Sequence, residues 1–333
     1  MRTPVLIVAL LLAAAQAPPP DVASLVTRTR ADVAAAVPAE QQASLTARLE
    51  RAQSSVTAGR TYLALYLVES PFEAASAFAF ARSVNVTTAA AFLEKWTALG
   101  PPATSSVPQG ARPAIADALA SAAEGRAAAT YQASRPYAED SGVDAGLYYL
   151  GESRALIAFA AHARTLAWPA IAPRPAFRSI AREIARLDAE MTAKYETMAR
   201  SEHPTYISAS AALKQARSLD DAHEYAGALF EYLLSRYLFA TVRGGETRDA
   251  TADGIAQARH ELGTTADHSI AELFLQLADE GIAGDVPAQR RGAAAALSDV
   301  LPAYLAAIAP LPATTAPAAS AQVTITLVRW PFT

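Results

Sequence analysis

The sequence contains no cysteine. This absence excludes disulfide bonds, thiol catalysis, cysteine-bound metals and a lipid-anchored N-terminal cysteine. An exported domain of this size does not need disulfide bonds, because 333 residues can bury a large core.

Charged residues are also scarce: they make up 18 % of the chain, and the formal net charge is only −4. Lys and Arg form no block anywhere, so nothing indicates a nucleic-acid or anionic-lipid partner. Hydrophobic residues make up 52 %, which is too much for a disordered chain. The length and composition therefore predict one large folded domain or two smaller ones.

Motifs for metal or cofactor chemistry are missing as well. The chain has no His-Glu-x-x-His, no Glu-x-x-His and no glycine-rich phosphate loop, so we expect neither a metal nor a cofactor. One alternative stays open, a metal site formed by His260, His268 and Glu272. The polar residues at 220–224 are explained by helix caps and a turn more simply than by a metal site.

The N-terminus has the pattern of an export signal. A basic residue precedes an apolar run at residues 5–15, which is too short to span a bilayer of about 30 Å. Small residues allow cleavage after Ala15 or after Ala17, although the proline at position 18 disfavours the second cut. We expect a Sec-type signal peptide at 1–17 and a periplasmic or secreted product with no transmembrane span.

Helical periodicity dominates the chain between this signal and residue 309. Apolar residues recur three or four positions apart at Ile180, Ile184, Leu187 and Met191, which is typical of one buried helix face. Capping-box patterns at 70–73 and 269–272 predict two helix starts, the first with proline at its first helical position. No alternation of strands and helices is present.

Proline-rich segments divide the chain. We expect an α-helical domain at 18–309, with possible sub-boundaries near 100–113 and 168–175. Residues 310–321 are typical of a linker. The alternating, β-branched segment 322–333 predicts a short strand. The predicted fold is all-α, built from antiparallel helical hairpins, with a C-terminal β arm.

Two stretches carry a family resemblance. Residues 147–151 resemble the first helix of a tetratricopeptide repeat, and the aromatic, alanine, aromatic, small pattern at Tyr225, Ala228, Tyr232 and Ser235 resembles the second. His223 departs from the pattern, since it stands where the turn glycine is expected. The resemblance covers about a third of the chain in pieces. It implies stacked hairpins with a concave binding face, and an irregular helical bundle stays the alternative.

Tyrosines and arginines recur on these predicted helices. Tyrosine often lines binding grooves, and arginine can bind the carboxylate of a peptide. We therefore predict a protein- or peptide-binding scaffold without catalytic activity. The alternatives are tyrosines that only pack helices together, a hydrolase with a helical cleft that uses paired carboxylates, and a small-molecule binding protein. The predicted groove residues are Tyr62, Tyr66, Tyr148, Tyr149, Arg154, Tyr225, Tyr232 and Arg236.

Overall fold

A computed structural model gives the fold of most of the chain. All regular secondary structure within the described residues is helical, which confirms the all-α prediction. The predicted signal peptide at 1–17, the linker at 310–321 and the strand at 322–333 lie outside these residues. The structure describes residues 21–104, 112–169, 171–243, 249–284 and 286–309.

The helices succeed one another with short connections, apart from longer breaks after α4 and α6. Within the described residues, no helix is both long and apolar enough to cross a membrane. The helices are α1 Val22–Ala36, α2 Ala39–Thr57, α3 Thr61–Ser83, α4 Ala89–Leu99, α5 Ala114–Asp140, α6 Val143–Thr165, α7 Ala181–Tyr195, α8 His203–Asp221, α9 Tyr225–Arg243, α10 Ala252–Leu262, α11 Ser269–Ala283, α12 Pro287–Ala295 and α13 Leu301–Ile308. A π-helical segment, Ala296–Val300, joins the last two.

Helices α3 and α5 lie at the centre of the fold. Helix α3 packs against α1, α2, α6 and α11, and α5 packs against α6, α8, α9 and α11. The main core is continuous from Val22 in α1 to Ala307 in α13. A smaller apolar cluster surrounds Phe92 of α4, where Tyr131 and Leu147 pack against it.

The periodic stripe of α7 is buried as its spacing predicts. Ile180, Ile184, Leu187 and Met191 are each almost fully inaccessible to solvent. The proline-rich segments near 100–113 and 168–175 fall between α4 and α5 and between α6 and α7.

The helix start predicted at 70–73 is wrong. Helix α3 passes through this stretch without a break and holds Pro71 in its interior. A proline there has no N–H for the carbonyl four residues earlier, which is that of Leu67. Arg48 of α2 supplies the missing donor, because its Nε lies 2.9 Å from the Leu67 oxygen. This compensation comes from another helix, so the local pattern could not show it.

The second predicted start is confirmed, since α11 begins at Ser269. The capping contacts differ from a capping box, however. The Ser269 hydroxyl accepts a hydrogen bond from the backbone N–H of Ile115 at 3.1 Å. Glu272 turns instead to Arg259, at 2.8 Å. Both side chains therefore tie α11 to neighbouring elements.

Candidate functional site

A polar cleft opens between α2, α3 and α6, with a volume of about 410 Å³. Its rim on α2 is exposed, and its inner wall on α3 and α6 is half-buried. Carboxylates and one phenol dominate this surface, so the cleft presents far more acceptors than donors. Its polar residues include Glu40, Gln41 and Ser44 on the rim, Glu73, Tyr148 and Glu152 on the wall, and Ser70 of α3.

The helical repeat places the wall residues. Tyr148 and Glu152 are four residues apart on α6 and therefore share one face. Glu69 and Glu73 have the same spacing on α3. Because α3 packs along α6, the two faces meet and Glu73 and Glu152 line the same cavity.

Behind the wall lies a network of buried charge. Arg126 of α5 pairs with both Glu69 and Glu73, and its Nη2 lies 3.2 Å from Glu73 Oε1. Glu231 of α9 is 4 % exposed, and its carboxylate accepts no hydrogen bond from the described residues. It interacts with the same guanidinium only through space. Carboxylates thus outnumber the cations that face them.

Burial, more than the surplus of carboxylates, raises the pKa values of these groups. Burial, with smaller contributions from Glu69 and Glu152, raises the pKa of Glu73 to about 8 even though Arg126 opposes the shift. Burial likewise raises the pKa of Glu231 to about 7. These groups hold protons near neutral pH, where an ordinary glutamate is ionised.

The pKa values of the neighbouring side chains are raised as well. Burial raises the pKa of Glu152. It also raises the pKa of Tyr148 to about 12, and Glu152 and Glu73 add to that shift. Loss of solvation opposes the charge on Arg126, but Glu69 and Glu73 outweigh it and leave its pKa above the usual range. The wall therefore stabilises positive charge and disfavours further negative charge.

Among the residues that the structure describes, no group of three or more His, Asp or Glu side chains is placed to hold a metal ion. Members of the alternative metal set make other contacts. His268 Nδ1 lies 3.0 Å from the Tyr304 hydroxyl, and Glu272 binds Arg259.

The predicted tyrosines lie in separate environments. Tyr148 lines the cleft, and Tyr62 lines a different cavity at the start of α3. Tyr66 packs in the core with the guanidinium of Arg48 5.2 Å from its ring centroid. Tyr149 stacks on a tyrosine of α5, with 3.9 Å between the ring centroids.

The remaining predicted residues make contacts within the fold. Arg154 donates to the carbonyls of Leu99 and Gly100 at the end of α4, both at 3.2 Å. The hydroxyl of Tyr225 lies 2.8 Å from Nδ1 of His223 in the connection between α8 and α9. These interactions fix helix ends.

Tyr232 and Arg236 are brought together, four residues apart on α9. Arg236 Nη1 donates to the Tyr232 hydroxyl at 3.1 Å, and its Nη2 pairs with Asp299 in the π-helical segment. Of the predicted set, the structure therefore places Tyr148 in the acidic cleft and Tyr62 in the second cavity.

Sequence reasoning misses most of the acidic cleft. The capping-box pattern assigns Glu73 to a helix cap that does not exist, and no motif singles out Glu69 or Glu231. The available signal is a single charged residue within an apolar helical stretch, as at Glu231 in α9. Such a residue is costly to bury without a partner and so points to a network.

Fold and site together define an all-α protein with an acidic cleft between its helices. The chain matches no protein-family model, no curated protein and no solved structure.

Proposed function

We propose that this protein is an exported binding protein whose cleft accepts an amine or guanidinium group of its ligand. The group is carried by a small molecule or by a basic side chain of a peptide partner. The observation that carries the proposal is the convergence of Glu73, Glu152 and Tyr148 on one cavity.

Charge and shape support a cationic ligand. Glu73 uses one oxygen for Arg126 and leaves acceptor capacity toward the cavity. The guanidinium of Arg48, which is also near, is held by the carbonyls of Leu67 and Tyr66. A cation with several N–H donors would neutralise the surplus carboxylates and could also rest against the Tyr148 ring.

The wider context of the proposal comes from the sequence. The pattern at residues 1–17 supports export, which would place the cleft in contact with envelope or extracellular solutes. A ligand of modest size suits a cavity of about 410 Å³. A single side chain of a bound peptide fits as well, which keeps the scaffold prediction within this proposal.

We also propose helical hairpins as the finer description of the fold. Helices α5 and α6 pack along each other and are joined by residues 141–142, and α8 and α9 are joined by residues 222–224. Connections this short favour antiparallel neighbours. The likeness of these pairs to tetratricopeptide repeats stays a prediction.

The test is calorimetric titration of the full-length protein with 1,4-diaminobutane, with N-acetyl-lysine amide and with a lysine-containing tetrapeptide. We expect binding at pH 8 that falls at least tenfold in the Glu73→Gln/Glu152→Gln variant. The matched control is Glu139→Gln, whose carboxylate lies exposed on α5. If the tetrapeptide binds more tightly than the free diamine, the partner is a peptide. If the diamine binds more tightly, the ligand is a small molecule. No binding by wild type, or equal binding by the double variant, would overturn the proposal.

One observation favours a second function, that of a hydrolase. Glu73, with its pKa raised to about 8, is protonated at neutral pH and shares a cavity with Glu152. A carboxyl that keeps its proton can act as a general acid beside a second carboxylate. A panel of nitrophenyl glycosides and esters tests this. Turnover that disappears in Glu73→Gln supports it, and no turnover at any pH from 5 to 8 rejects it for those substrates.

A further inference from the structure

A second cavity of about 360 Å³ lies at the beginning of α3. Its walls come from α3, from the segment between α6 and α7 and from the connection between α10 and α11. It shares no lining residue with the acidic cleft. Tyr62 and Ser70, which line the two cavities, are about two helical turns apart along α3.

Two aromatic side chains form one wall of this cavity. The rings of Tyr62 and Trp168 lie 5.8 Å apart between centroids, with planes inclined by 34°. The indole Nε1 of Trp168 is buried and has no hydrogen-bond partner among the described residues. The hydroxyl of Tyr62 also bonds to none of them. A buried indole N–H normally finds an acceptor, so this unpaired group beside the cavity is a candidate donor to a bound molecule.

The charged groups around the cavity are already engaged. Asp267 accepts hydrogen bonds from the backbone N–H groups of Ala114 at 2.5 Å and Ser269 at 3.0 Å. Arg259 pairs with Glu272 at 2.8 Å. These contacts hold the walls and occupy the charged side chains, so a neutral ligand leaves them undisturbed.

The two aromatic side chains belong to segments that are hydrogen-bonded to neighbouring elements. The backbone N–H of Leu63, next to Tyr62, donates to Gln276 Oε1 of α11 at 2.9 Å. The segment that carries Trp168 is tied down further along, where the Pro173 carbonyl accepts from the backbone N–H of Asp267 at 2.8 Å. These contacts anchor the backbone next to Tyr62 and the segment that follows Trp168, which favours a preorganised site.

We propose that this second cavity binds a neutral, planar molecule that places a hydrogen-bond acceptor on Trp168 Nε1. The flat body of the ligand packs against Tyr62 and Trp168, and its acceptor satisfies the indole N–H. The inference does not depend on the function of the acidic cleft, because the two sites share no residue.

Three small probes separate shape from hydrogen bonding. Benzamide is planar and carries an acceptor, cyclohexanecarboxamide carries the same acceptor without a planar ring, and toluene is planar without an acceptor. Ligand-observed NMR on the full-length protein should show that benzamide binds at least fivefold tighter than either of the others. Absence of benzamide binding overturns the proposal.

Substitutions locate the binding. Trp168→Phe keeps an aromatic ring but removes the N–H, so we expect at least a fivefold loss for benzamide and little change for toluene. Trp96→Phe is the matched control, because its Nε1 already donates to Tyr131 and Ser134. Ala266→Phe, which places a bulky side chain in the cavity, should abolish binding of all three probes. Unchanged benzamide affinity in Trp168→Phe or Ala266→Phe places the probe elsewhere and overturns the assignment.

Discussion

Arg48 Nε donates to the carbonyl oxygen of Leu67 at 2.9 Å, and this contact allows α3 to continue past Pro71. Pro71 cannot donate to this carbonyl, so Arg48 supplies the donor that a helical N–H otherwise provides, at a buried position of α3. The continuity of α3 in turn places Glu69 and Glu73 on one face toward Arg126. One interhelical hydrogen bond thus supports the helix that carries the acidic wall.

Replacing Arg48 by Met should destabilise the fold by about 1–3 kcal/mol, the usual cost of an unsatisfied buried acceptor. The Pro71→Ala background restores an N–H for Leu67, so the same replacement should cost less there. A double-mutant cycle by urea unfolding measures this coupling. Arg217→Met, which removes an exposed ion pair, serves as the control. Equal costs in both backgrounds would show that the Arg48 contact does not compensate for the proline.

The raised pKa of Glu73 makes stability depend on pH. The unfolded chain loses this proton near the ordinary value of 4.5, whereas the folded protein keeps it to about pH 8. Unfolding therefore releases a proton between these values, and the free energy of unfolding falls as pH rises, by about 1.4 kcal/mol per pH unit for one group. Glu231 adds to the fall up to about pH 7.

Glu73→Gln, which mimics the protonated carboxyl, should match wild type at pH 4 and exceed it in stability by a growing margin as pH rises to 8.5. Urea unfolding at half-unit pH steps measures both curves. Glu139→Gln should track wild type throughout, because that carboxylate is exposed. Parallel curves for wild type and Glu73→Gln would contradict the assigned pKa shift.

Arg236 has a structural role, because it forms an ion pair with Asp299 in the π-helical segment. Because both side chains are largely buried, Asp299→Ala should destabilise the protein by about 3–5 kcal/mol. The Arg236→Met/Asp299→Leu variant should be less damaged than Asp299→Ala, since it leaves no unpaired charge. Chemical unfolding gives these values. If a folded Arg236→Met variant lost affinity for the diamine, Arg236 would have a role in ligand binding, contrary to this assignment.

His223 occupies a left-handed backbone conformation, with φ of 64°, in the connection between α8 and α9. Glycine adopts this conformation without the steric cost that a Cβ brings. We expect His223→Gly to stabilise the fold by about 0.5 kcal/mol after its greater loss of backbone entropy. His223→Ala, which keeps the Cβ, should give no gain. Thermal and urea unfolding of the two variants measure these changes. A loss of stability in His223→Gly would show that the contact with Tyr225 contributes more than the relief of steric strain.

The helical class could be predicted because it depends on local spacing. The stripe through Ile184 and Met191 and the start of α11 at Ser269 needed no knowledge of the rest of the chain. The false start at Ser70 shows the limit of local reasoning. The same serine, proline and glutamate pattern fits a cap, and only a side chain from α2 shows that the helix continues.

The acidic cleft was hidden for the same physical reason. Glu73, Arg126 and Glu152 lie on three different helices, so their convergence depends on helix packing that no sequence spacing records. Residue type alone draws attention to tyrosines and arginines instead. For Arg154 and Arg236, the polar groups are engaged in helix ends and an internal ion pair.

The most direct test of the central claim is the number of protons released when a cation enters the cleft. Titration of 1,4-diaminobutane at pH 7 in two buffers of different ionisation enthalpy measures it. Binding that ionises Glu73 should release up to about one proton, tighten as pH rises from 6 to 8.5, and show neither effect in Glu73→Gln. A wild-type affinity and heat that depend on neither buffer nor pH would contradict the account.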